Sequence, residues 1–232
     1  MSEQNVLLAC QSVSAGYGEL AVIRELDLSV AEGEIVALIG PNGAGKTTTL
    51  LTLAGELSPL QGCVEFMGKA TSSPMHIRCS QGMGFITEER SVIMDMTARD
   101  NLRLADVSIA DATDLFPELI PLLGCKAGLL SGGEQQMLTL ARVLGRRPKV
   151  LLADELSLGL APLIVTRLLA MVRRAADNGV GVLLVEQHVR QALAVADRVL
   201  VMQRGRIAIE GTSREIQAQI HEIEEAYLSS FD

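Results

Sequence analysis

Three short apolar runs punctuate the chain, and each has the unbroken character of a strand buried on both faces. Ile35-Val36-Ala37-Leu38-Ile39 closes residues 34–39, Val150-Leu151-Leu152-Ala153 is the second run, and Val182-Leu183-Leu184-Val185 is the third. Such runs suit a parallel sheet covered by helices on both sides. Between the second and third runs the period changes. Pro162 stands near a helix start, Ile164, Leu168, Met171, Val172 and Ala175 recur on one helical face, and Gly179 lies just past the end. A strand, helix, strand crossover is predicted. Apolar residues at 199–202 and 207–209 flank Gln203-Arg204-Gly205-Arg206. That reads as a hairpin finishing the sheet, with Gly205 able to take a positive φ.

Residues 88–145 lack strand runs and show helical patterning at 111–123 and 134–144. The pattern predicts a single domain over 1–232, with an α/β core at 1–87 and 146–232 and a helical subdomain inserted at 88–145. The stretch 87–100 has no clear apolar period and reads as a loop, the kind of segment that tends to move.

Composition narrows the function classes. Twenty Lys and Arg against 28 Asp and Glu give a net charge of -8, so no global basic field exists to hold nucleic acid or anionic lipid. Anion binding has to be local. Apolar residues are 48% of the chain, yet no run reaches the about 20 positions a bilayer crossing needs. The start, Met1-Ser2-Glu3-Gln4, lacks the basic and apolar regions of a secretory signal, and a cytoplasmic location is expected. Cys10, Cys63, Cys79 and Cys125 form no CxxC pair, which argues for inert thiols rather than zinc or disulfides.

The chemistry begins at Gly40-Pro41-Asn42-Gly43-Ala44-Gly45-Lys46-Thr47, which satisfies GxxxxGK[ST] directly after a predicted buried strand and before a helical pattern. Glycines let backbone N–H groups converge on phosphates, and the helix start adds its positive dipole end. Lys46 reaches the β and γ phosphates, Thr47 ligates Mg²⁺, and Thr48 joins the nucleotide contacts. A glycine-rich turn with a chance lysine is the bland alternative, and the strand and helix context argues against it. Asp154 and Glu155 then follow the second apolar run, at the carboxyl end of a strand where open α/β sheets bind ligands. Metal-assisted phosphoryl transfer needs a carboxylate for Mg²⁺ and a group to position water. Asp154 suits the first role and Glu155 the second.

Leu130-Ser131-Gly132-Gly133-Glu134-Gln135-Gln136 discriminates among phosphate-loop proteins. The SxxE spacing is also a helix capping box, and both readings hold together. With this segment the sequence resembles the ABC transporter ATPases, from Tyr17 through His188 to the Gly211 segment. The resemblance implies a phosphate-loop core with a mainly parallel sheet, an antiparallel β subdomain and the inserted helices. It also implies two ATPs sandwiched head to tail in a dimer, Ser131, Gly132 and Gly133 of one subunit completing the other's site. By the same resemblance, His188 in Val185-Glu186-Gln187-His188 matches the switch histidine that contacts the γ-phosphate, and Tyr17 the aromatic against adenine. His76 and His221 match nothing and read as surface residues.

Some positions depart from the family pattern. Gly84-Phe85-Ile86-Thr87-Glu88-Glu89-Arg90 puts Glu88, beside the expected Mg²⁺, where many members have a Gln that senses the γ-phosphate and the transmembrane partner. A carboxylate accepts hydrogen bonds but cannot donate them, and Asp154, Glu155 and Glu88 together would raise carboxylate pKa values. Leu156 and Ala161 replace a common Pro and Asp. Glu88, LSGGEQQM and SLGLAP together resemble the second ATPase of branched-chain amino acid importers. That implies a second ATPase subunit and transmembrane permease subunits as partners, a solute-binding protein beyond them, and a peripheral position on the inner face of the membrane. A lipid or lipopolysaccharide exporter, for which Val189-Arg190-Gln191-Ala192-Leu193 speaks, and a soluble ABC ATPase remain the alternatives.

Overall fold

The computed structural model describes residues 5–89 and 91–218. Met1-Ser2-Glu3-Gln4, Arg90 and His221 lie outside the described residues. Two long strands, β1 (Val6–Tyr17) and β2 (Leu20–Ala31), come first, followed by β3 (Ile35–Ile39) and α1 (Lys46–Ala54). Then come β4 (Gln61–Phe66), β5 (Lys69–Ala70), α2 (Met75–Ser80) and β6 (Met83–Ile86). Helices α3 (Ala98–Leu104), α4 (Ile109–Leu115) and α5 (Gly132–Leu144) occupy the next stretch. The chain closes its core with β7 (Val150–Asp154), α6 (Pro162–Asp177), β8 (Gly181–Glu186) and α7 (Val189–Leu193), then β9 (Arg198–Gln203), β10 (Arg206–Thr212) and α8 (Ser213–Ala218).

The strands form two sheets. One has the order β10-β9-β3-β8-β7-β6, parallel throughout except for the β9–β10 hairpin at its edge. The other, β2-β1-β4-β5, is antiparallel. This is the mainly parallel sheet with an antiparallel companion and helices that the sequence predicted. Alternation along the central strands explains why their sequences are apolar at every position. Ile35, Ala37 and Ile39, with Leu151, Ala153, Val182 and Leu184, join the cluster that includes the helices α3 to α6. Val36 and Leu38, with Val150, Leu152, Leu183 and Val185, face α1 and the antiparallel sheet. With both faces covered, no position is left for a polar side chain.

Three expectations need correction. The helical stretch at 111–123 is broken: α4 ends at Leu115, and a 3₁₀ turn runs over Pro117–Leu122. Pro117 has no N–H to continue the helix and pushes Phe116 into an extended conformation (φ -135°, ψ 86°). The loop at 87–100 is shorter than expected, because Thr97 caps α3 by accepting from the Asp100 N–H at 3.1 Å. On α6, Ile164 and Ala175 are only partly buried, and Val165, Leu169 and Ala176 share the buried face with Leu168, Met171 and Val172.

A buried arginine holds α2 against the far end of α1. Arg78 is 2% exposed and makes no ion pair among the described residues. Its guanidinium donates instead to the carbonyls of Leu53 (2.5 Å), Ser73 (2.8 Å) and Thr71 (3.4 Å). Leu53 lies in the last turn of α1, where a cation also complements the helix dipole.

Candidate functional site

Strand β3 delivers the chain into the glycine loop, and α1 carries it away. Gly45 is the residue before the helix, at φ +108°, where a Cβ would lie 2.8 Å from Ile23 Cγ2. Gly43, at φ +78°, faces open space. At Gly43 the backbone is therefore exposed where a bulky anion would approach it, while Gly45 is buried against Ile23. Lys46, buried, folds back over this loop and donates from Nζ to the carbonyls of Gly40 (2.8 Å) and Pro41 (3.3 Å). Its ammonium is 3.9 Å from Glu155 Oε1. Burial pushes the Lys46 pKa down, opposed by Glu155, Asp154, Glu186 and Glu88. Thr48 is buried on the same first turn of α1, whereas Pro41 is half-buried, Ala44 buried, and Asn42 and Thr47 exposed.

Asp154 ends β7 opposite Val185 of β8 and is almost fully buried. Burial raises its pKa to about 6; the Thr47 hydroxyl and Lys46 pull it down, while Glu155 and Glu88 push it further up. One carboxylate oxygen, Oδ1, is buried without a hydrogen-bond partner. An orphaned carboxylate oxygen beside a threonine hydroxyl is a hard, oxygen-only donor set that fits Mg²⁺. Among the described residues there is no group of three or more His, Cys, Asp or Glu that could hold a metal ion. Glu155 leaves the strand in a left-handed conformation (φ +46°) and donates its N–H to Val185 O at 2.9 Å. Non-glycine residues held there are a frequent feature of functional sites.

A third carboxylate, which sequence reasoning passed over, stands behind this pair. Glu186 ends β8, is 1% exposed, and accepts from Ser157 at both oxygens: from the Ser157 N–H at Oε1 (3.2 Å) and from the hydroxyl at Oε2 (2.6 Å). Burial raises its pKa to about 7; the Ser157 hydrogen bonds lower it, and Glu155 and Asp154 raise it further.

The remaining residues surround this group to different degrees. Glu88 lies exposed just past β6, close enough for its charge to act on Asp154 and Lys46. His188 heads α7, two residues beyond Glu186, and is exposed. Tyr17 ends β1 and is 56% exposed. Ser131 is the N-cap of α5 within a complete capping box, and its hydrogen bonds go to Glu134. Gly132 and Gly133 open that helix, and a Cβ on Gly133 would press within 3.0 Å of Ile164 on α6. Within one chain, then, the structure groups Lys46, Thr47, Asp154, Glu155 and Glu88, while the Ser131 segment stands apart on the helical insertion. His76, exposed on α2, belongs to neither.

The chain is similar to known proteins in sequence and in fold. The ABC transporter family matches residues 23–157. The high-affinity branched-chain amino acid transport ATP-binding protein BraG of Pseudomonas aeruginosa is 36% identical over 96% of this chain and 99% of its own length. The lipopolysaccharide export system ATP-binding protein LptB of Escherichia coli (strain K12) is 32% identical over 95% of this chain and 96% of its own. A solved ATP-binding subunit of an ABC transporter superposes with a TM-score of 0.82 at 26% identity, covering 97% of this chain and all of that one. The chain belongs to the ABC transporter family. It is an ATP-binding subunit and an ATPase, and no described helix is long and apolar enough to cross a membrane.

Proposed function

We propose that this chain energises an importer of branched-chain or related amino acids from the inner face of the cell membrane, working with a second ATPase subunit, permease subunits and, through them, a solute-binding protein. The observation that carries the catalytic part of this reading is the convergence of buried Lys46 and Asp154 with half-buried Glu155 and the exposed Thr47 hydroxyl at the carboxyl ends of β3 and β7. The similarity to BraG along nearly the whole chain carries the solute class.

Tyr17, exposed at the end of β1, offers a ring face to adenine. The N–H groups of the loop from Gly40 to Gly45 and the Lys46 ammonium hold the phosphates, with Thr48 alongside. Thr47 and Asp154 would hold Mg²⁺, with Glu88 as a further oxygen toward it, and the ion supplies charge neutralisation at the transferred phosphoryl group. Glu155 accepts a hydrogen bond from the attacking water and His188 orients the γ-phosphate side of that water. Ser131, Gly132 and Gly133, at the head of α5 on the helical insertion, complete the partner subunit's site.

The test is the Glu155→Gln variant. Nucleotide binding should persist while phosphate release falls by about 10²- to 10⁴-fold, and the solution mass should report whether Mg-ATP pairs two copies. Undiminished hydrolysis would remove Glu155 from the reaction. A second reading, export of lipid or lipopolysaccharide, is favoured by the similarity to LptB and by Val189-Arg190-Gln191-Ala192-Leu193, while Glu88 and the SLGLAP segment favour import. Stimulation of hydrolysis by branched-chain amino acid permeases, and not by export permeases, separates the two.

A further inference from the structure

Loop residues 155–157 are pinned to β8 at two successive points. The Glu155 N–H donates to Val185 O, and both donors of Ser157 go to the carboxylate of Glu186. Leu156, between them, is 1% exposed. Glu186 is itself held level with Ile39, the last residue of the strand that feeds the phosphate loop. Two residues further along the chain stands His188. Glu186 therefore links the loop bearing Glu155, the strand end leading to Lys46, and the entrance to His188.

A carboxylate buried this deeply is costly, and an apolar pair of the same volume at 157 and 186 would usually be at least as stable. Stability alone gives no reason for the choice. Geometry does: the left-handed backbone at Glu155 (φ +46°) persists only where its surroundings over-determine it. We infer that Glu186 is a positioning residue, which through Ser157 fixes the loop that aims the Glu155 carboxylate at water. It touches no reacting atom. The inference rests on the reading of Glu155 as the residue that activates water.

Ser157→Ala removes one donor and leaves the fold's apolar contacts in place; Glu186→Leu removes both acceptors. Glu186→Gln keeps an oxygen for the Ser157 N–H and an amide that the Ser157 oxygen can accept from, so it serves as the conservative rescue. In the full chain, Ser157→Ala and Glu186→Leu should lower kcat by about ten- to hundredfold. KM for ATP and the ATP Kd should stay within about twofold, the mark of a contribution felt only in the transition state. Glu186→Gln should recover most of the loss.

Hydrogen exchange provides a readout independent of turnover. The Leu158 and Leu160 amides, bonded to Glu155 O (3.2 Å) and Ser157 O (3.3 Å), should exchange faster in Ser157→Ala and Glu186→Leu than in Glu186→Gln. Unchanged exchange in Ser157→Ala overturns the inference, as does a kcat loss matched by weakened ATP binding. Glu155→Gln in the same series tells the failures apart. If it still hydrolyses ATP, the reading of Glu155 is wrong; if it is dead while Ser157→Ala is normal, only the role of Glu186 falls.

Discussion

Replacing Arg78 by Met keeps the aliphatic stem and deletes the guanidinium. Two well-formed hydrogen bonds to buried carbonyls would go, those to Leu53 and Ser73, while the bond to Thr71 at 3.4 Å is long enough to count for little. Hydrogen bonds to a charged donor contribute about 1.5–3 kcal/mol each, so the gross loss is about 3–6 kcal/mol. Against it stands the cost of keeping a guanidinium out of water with no carboxylate beside it, the same burial that lowers its pKa. A net destabilisation of about 2–4 kcal/mol is expected. For a chain of this size that is a fall in Tm of about 5–15 °C, read by circular dichroism or differential scanning calorimetry. Arg78→Lys should recover little, because an ammonium cannot fan out to carbonyls in three directions as the planar guanidinium does. A Tm within about 2 °C of the unaltered protein would refute the reasoning, showing that desolvation cancels the hydrogen bonds.

Two further outcomes can be checked with the same instruments. Glu186 has a folded pKa of about 7 against an ordinary 4.5, so the folded state holds a proton more tightly than the unfolded one. Its contribution to stability is complete below about pH 4.5 and lost as pH rises to about 7. Asp154, raised to about 6, adds a fall of the same sign, so the contrast to measure is that Tm declines less steeply across this window in Glu186→Gln than in the unaltered protein. Ser131→Ala should cost about 0.5–2 kcal/mol by removing the N-cap of α5, and Ser131→Asn should restore it. If Ser131 also completes a partner's site, Ser131→Ala placed in the Glu155→Gln background should weaken ATP-driven pairing seen as solution mass, with ATP binding by the single chain unchanged.

The central strands were legible because burial on both faces leaves a continuous apolar run, and the phosphate loop because its glycines and lysine fall at the junction of strand and helix. The long strands β1 and β2 were harder to read. Their pairing slips repeatedly, between Cys10 and Val13 for example, and Ser12 and Glu25 take positive φ; each such irregularity resets the alternation that would mark a strand. At Phe116 the apolar spacing carries on across a real break, and Pro117 was the signal to heed. The cap at Thr97 was visible in principle, three residues before Asp100. Glu186 was not, since its partner Ser157 lies 29 residues away, and nothing at the end of an apolar strand announces which distant hydroxyl it will meet.

The route between β6 and β7 has a mechanical consequence. The chain departs beside the carboxylates, where Ile86 pairs with Ala153, and returns at the opposite end of the same two strands, where Lys149 N–H donates to Gly82 O at 2.7 Å. Near the return point the contact is tight: a Cβ on Gly84 would strike Val143, one residue from the end of α5, at 2.5 Å. The far end of α5 bears Ser131. With 13 residues, the helix is a lever arm of about 20 Å anchored at its tail. Tilting it by about 10° would carry its head some ~3 Å, the difference between a hydrogen bond and none, while barely disturbing the fulcrum.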